Sequence, residues 1–114
     1  MNALVQDPIA WVDVGAVTDV PVRGARRVPT PSGPVAIFRT GDGRVFALMD
    51  RCPHKGGPLS QGIVHGHAVA CPLHNWSISL ATGQPLGADA GKGCAPTRPV
   101  KVEDGRILLG LVRD

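Results

Sequence analysis

Cys52-Pro53-His54 and Cys71-Pro72-Leu73-His74 supply two thiols and two imidazoles, in the order C-x-H and then C-x-x-H, with residues 55–70 between them. Neither half is long enough to present a helical face. The spacing therefore places one Cys and one His on each of two loops whose tips must meet. Two Cys on one iron and two His on the other is the donor set of one kind of [2Fe-2S] cluster. Zinc uses the same donors, but structural zinc sites usually pair like ligands, C-x2-4-C with H-x3-5-H, whereas here each loop brings one of each. A metal-free Cys–His nucleophile pair would need the arrangement once, not twice.

Strands must position those loops, because Val, Ile and Leu recur in short runs bounded by Gly, Pro or Asp and no long helical period is present. Trp11 to Val14, Arg26 to Val28, Val35 to Arg39 and Arg44 to Met49 read as strands, the last two joined through Gly41-Asp42-Gly43. Pro99 to Glu103 and Arg106 to Val112 flank Asp104-Gly105, a second hairpin signal, since Asp-Gly tolerates the positive φ such turns need. Between the hairpins, Asp50 to Pro96 is dense in Gly, Pro, Cys and His and reads as the functional insertion. Within it, Ile63-Val64 and Ala68 to Ala70 pair across His65-Gly66. Ser77 to Leu80 adds a strand ending at Thr82-Gly83. Gly87 to Thr97 is expected as an ordered loop covering this unit.

At 114 residues the chain suits one domain. With 2 Trp, 2 Phe and no Tyr, its core must be mainly aliphatic; 15 Gly and 11 Pro are spread between apolar runs, as in a loop-rich β domain. The net charge of +3 comes from scattered Lys and Arg without interleaved aromatics, which argues against nucleic acid. Met1 to Ala10 has neither a cationic start nor an apolar stretch, so no signal peptide or membrane anchor is expected, and the expected location is cytoplasmic. Cys94 has no thiol left to pair with once Cys52 and Cys71 are used. No Gly-rich phosphate loop opens a helix, so neither flavin nor nicotinamide has a site on this chain.

The motif C-x-H-x16-C-x-x-H, with Gly56-Gly57-Pro58-Leu59 after the first half and Pro72 in the second, resembles Rieske [2Fe-2S] proteins. That resemblance implies an all-β Rieske-type antiparallel β-sandwich spanning residues 1–114, with a small inserted cluster-binding subdomain at about residues 50–75. It implies Cys52 and Cys71 as ligands of an inner ferric iron, and His54 and His74 as ligands of an outer, redox-active iron near the surface. High-potential members carry an extra Cys in each loop, where this chain has Gly57 and Leu73. They also place hydroxyls against the cluster sulfurs, where this chain has Trp76 and Ile78. Fewer hydrogen bonds to sulfur stabilise the reduced cluster less, so a midpoint on the order of −150 to 0 mV is expected.

The run Arg51 to Gly62, together with Cys71-Pro72-Leu73-His74-Asn75-Trp76, Thr82-Gly83 and Pro99 to Glu103, is similar to the small subunit of assimilatory NAD(P)H-dependent nitrite reductase. By that resemblance the chain transfers electrons beside a larger flavin and sirohaem subunit that reduces nitrite to ammonia, and the catalytic site lies on the partner. Ferredoxins of ring-hydroxylating dioxygenases share the cluster motif but commonly have Phe and Gly-Gly at Leu73 and Asn75-Trp76. A stand-alone ferredoxin is thus one alternative, and a zinc-stabilised scaffolding module another. Lys55, next to His54, is placed at the exposed rim as a docking charge. Trp76 is expected to pack over the second loop. His65 and His67 read as surface turn residues, Cys94 as incidental, and Asp89 as a turn former without catalytic role.

Overall fold

The segment Val35-Ala36-Ile37-Phe38 is apolar at both parities, and the computed structural model, which describes residues 10–52, 57–72, 76–87 and 93–112, gives the reason. These residues form the middle of β3 (Gly33–Arg39), which lies between β2 (Gly24–Thr30) and β4 (Val45–Met49) in an antiparallel sheet. Both faces of that sheet are covered. Val35 and Ile37, with Ala47 and Met49 of β4, pack against Ile107 and Leu109 on one side; Ala36, Phe38 and Leu48 pack against the unit carrying Cys52 and Cys71 on the other. Alternation is lost where a strand is buried on both faces.

The first covering sheet joins the two ends of the described chain. β1 (Ala10–Ala16) pairs with β9 (Arg106–Leu111), which pairs with β8 (Val100–Glu103), and the stacking of this sheet on β2–β3–β4 makes the antiparallel sandwich. The register of β1 slips between Asp13 and Gly15, where Gly15 adopts φ 130°. Asp13 then accepts from both the Gly15 amide and the Arg106 guanidinium, the latter at 3.0 Å on each oxygen. The β8–β9 turn is Asp104-Gly105, at φ 52° and 75°, the double positive φ of a two-residue hairpin turn.

The third sheet has the order β5 (Ile63–His65), β6 (Ala68–Ala70), β7 (Ser77–Ser79). His65 pairs with Ala68, so the turn is Gly66-His67, one residue later than expected from His65-Gly66. Gly66, at φ 56°, takes the positive φ. β2 also runs longer than Arg26 to Val28. It continues through Pro29, which is tolerated because, among the described residues, β2 is the edge strand of its sheet. Among the described residues the helical structure is two single turns of 3-10 helix, Val17–Asp19 and Leu59–Gln61, and no helix is long and apolar enough to cross a membrane.

Candidate metal centre

One loop follows β4 of the central sheet and the other joins β6 to β7 of the third, and each is closed in the same way. The Cys52 amide donates to the Gly57 carbonyl at 2.8 Å and the Cys71 amide to the Trp76 carbonyl at 2.7 Å, so both bonds join residue i to residue i+5. Residues 53–56 and 73–75 lie outside the described residues, and with them His54, Lys55, Leu73 and His74. Asp89 does too. Cys52 and Cys71 are each 2% exposed and belong to one apolar cluster with Leu59, Val64, Val69, Ile78, Leu80 and Ala95. Neither is in a disulfide. Two cysteines in one apolar cluster, each heading a loop pinned by its own amide, fit the two-thiolate half of a [2Fe-2S] cluster.

Close approach of the chain that follows the first loop to the strand that precedes the second depends on Gly62. A β-carbon there would lie 2.2 Å from the Ala70 carbonyl oxygen and 2.9 Å from Val69 Cγ2, so only glycine lets the end of the first loop lie against the strand that delivers Cys71. Gly83 does the same on the far side. It sits at φ 77°, its amide donates to Ser79 and its carbonyl accepts from Ala95, and a β-carbon would stand 1.9 Å from the Ala95 oxygen. This contact seats Ala95, from the expected covering loop, in the same core as the two cysteines.

Asp50, two residues before Cys52, was not singled out by sequence reasoning. Its side chain is fully buried and accepts from the Ser60 amide on one oxygen and the Ser60 hydroxyl on the other, both at 2.7 Å, with Arg27 Nε 3.4 Å away. Its amide donates to Pro34 of β3. The first loop is therefore stitched twice, by Cys52–Gly57 within and Asp50–Ser60 outside. An acidic residue ending an apolar strand directly before a ligand loop was the available signal.

On β7, Ile78 points into the core and is fully buried. Alternation turns its neighbours the other way. The Ser77 hydroxyl lies 3.4 Å from His65 Nε2, and the Ser79 hydroxyl accepts from the Thr82 amide. Neither hydroxyl of this strand faces the cysteines. Trp76 is half-buried and packs against the cysteine-bearing cluster, while residues 73–75 of the second loop, over which the sequence places it, lie outside the described residues. Cys94 is exposed.

His67 does more than turn the chain. Its Nε2 lies 2.9 Å from Asp42 and its ring 5.5 Å from that of Phe46, while its carbonyl accepts from Leu80, so it fastens the third sheet to the β3–β4 turn. Asp42 is drawn down to about 2, first by the hydrogen bond from the Thr40 hydroxyl and then by His67. A lowered carboxylate contributes stability above its unfolded pKa, near 4, that is lost as pH falls through the folded value. Urea unfolding across about pH 4 to 2 should show Asp42→Asn losing less stability than wild type; parallel losses would show that the latch has no such role.

The Rieske [2Fe-2S] domain profile matches residues 10–99. The anthranilate 1,2-dioxygenase ferredoxin subunit of Burkholderia cepacia is 37% identical over 103 residues, 90% of this chain and 88% of that protein. The 3-phenylpropionate/cinnamic acid dioxygenase ferredoxin subunit of Photorhabdus laumondii is 41% identical over 98 residues, covering 84% and 90%. Among solved structures, one from Mycobacterium tuberculosis assigned to an NADH-dependent nitrite reductase small subunit superposes with TM-score 0.82 at 27% identity, over 96% of this chain and 99% of that one. With its antiparallel sheets, paired cysteine loops and this likeness, the chain belongs to the Rieske [2Fe-2S] domain family and is a Rieske-type cluster-bearing electron-transfer component of an oxidoreductase system.

Proposed function

We propose that this chain is the small subunit of an assimilatory NAD(P)H-dependent nitrite reductase, working in the cytoplasm beside a larger flavin and sirohaem subunit. The observation that supports this reading is the structural likeness to the Mycobacterium tuberculosis chain, over 96% of this one at TM-score 0.82, against 91% at TM-score 0.79 for the carbazole 1,9a-dioxygenase ferredoxin. The Leu73 and Asn75-Trp76 positions of the second loop support it. The bound cluster supplies one reversible electron. The chain's own residues hold it: Cys52 and Cys71 supply thiolates to one iron, and His54 and His74 supply imidazoles to the other. The apolar cluster behind the cysteines excludes water, and one domain carries both the sandwich and this unit.

A second reading, a ferredoxin serving a ring-hydroxylating dioxygenase, is favoured by identities of 37% and 41% to such subunits. Partner preference separates the two. Lys55, beside His54, would meet the partner, and surface charge acts mainly on encounter rate. Mixed with a sirohaem nitrite reductase large subunit and NAD(P)H, the chain should become reduced rapidly and raise nitrite-dependent turnover. Lys55→Glu should slow that reduction, most at low salt where screening is weak. No reduction by the large subunit, with rapid electron delivery to a dioxygenase terminal component, would refute the nitrite reductase reading in favour of the second.

A further inference from the structure

We propose that Asp50 is a positioning residue that also sets the cluster's midpoint potential, its buried charge opposing reduction and Arg27 partly offsetting it. This rests on the ligand assignment above. The carboxylate sits where β4 runs out into the first loop. Its side chain is wholly removed from solvent, yet its cationic partner among the described residues, Arg27 on edge strand β2, is 58% exposed. Water therefore screens the guanidinium far more than the carboxylate. Two residues of chain span at most about 7 Å, so the backbone that carries this charge lies within that distance of the backbone that carries Cys52. No other carboxylate among the described residues is buried. A negative charge held out of water beside a cluster-bearing loop disfavours the more negative, reduced state of a cluster.

The same group does mechanical work. Ser60 begins the return from the first loop, and its amide and hydroxyl both close on Asp50. Asp50's own amide is bonded to Pro34. The loop is thereby anchored to the central sheet at one point, next to its cysteine. Ser60 lies two residues before Gly62, where the chain passes against Ala70. Displacing Asp50 would loosen both loops' approach as well as remove a charge.

The two roles separate experimentally. Asp50→Asn keeps the shape and a hydrogen-bond acceptor for the Ser60 amide, so iron content should match wild type while the midpoint, read by film voltammetry, rises. We expect a tenfold change in the one-electron reduction equilibrium, about 59 mV. Arg27→Gln should move the midpoint the opposite way, by less, and the shift should shrink with added salt. Asp50→Ala should lower iron content, with Asn restoring it. A fully loaded Asp50→Asn protein with the wild-type midpoint overturns the proposal. Should the Asn variant fail to fold, Arg27→Gln decides at low ionic strength, and an unshifted midpoint there overturns it. A wild-type chain that takes up no cluster would instead refute the ligand assignment, and this is seen before any variant is made.

Discussion

Replacing Cys52 or Cys71 with alanine should abolish cluster assembly while leaving most of the β-structure in place. Each cysteine is 2% exposed in a core that also holds Leu59, Val69, Ile78 and Ala95, so the sulfur-to-hydrogen change removes little packing volume. What it removes is a thiolate that neutral imidazole or water does not replace as a ligand to the inner iron. Far-UV circular dichroism should therefore stay near wild type as visible absorbance and iron content collapse. Changing His54 or His74 to cysteine is the contrasting case. A ligand is retained at that position, now a thiolate in place of an imidazole, so a cluster with three thiolates, one imidazole and a lower potential should persist. Native iron content in Cys52→Ala would show that this cysteine is a packing residue.

Gly62→Ala should cost about 2–3 kcal/mol of stability, roughly 10 °C in Tm, and lower iron content as well. The clash is with backbone. A β-carbon would stand 2.2 Å from the carbonyl oxygen of Ala70, in the central strand of its sheet and next to Cys71. A carbonyl held between two partner strands cannot swing aside, so the chain carrying Leu59 and the first loop must shift instead. Gly66→Ala is the control. Gly66 sits at φ 56° with nothing within 4 Å of an added β-carbon, so it pays only the left-handed conformation, about 1 kcal/mol, without disturbing the loops. Equal melting temperatures and iron contents for the two variants would contradict the account of loop approach.

The parts of this molecule that were legible in its sequence are those specified by residues close together. Asp104-Gly105 reads as a hairpin because both positions must take positive φ, and both do. The paired Cys-His loops read as a metal centre because ligand spacing is local, and the cysteines do lie in one cluster. What escaped was set by distant partners. Asp50 looks like an ordinary acidic residue until Ser60, ten positions on, and Arg27, on another strand, are seen to converge on it. His67 looks like a turn residue until Asp42 arrives from the β3–β4 turn. The extra length of β2 was hidden by Pro29, whose cost vanishes only at a sheet edge, and edges are decided by topology.

The central claim is that this chain holds a Rieske cluster on two cysteines and two histidines, and anaerobic purification followed by EPR of the dithionite-reduced protein tests it most directly. Alongside assays for iron and acid-labile sulfide, the account predicts two of each per chain. It also predicts a rhombic signal whose average g lies below that of all-cysteine clusters, because two imidazoles replace two thiolates. Stoichiometric zinc with no visible absorbance after reconstitution, or a signal of all-cysteine type, would contradict it.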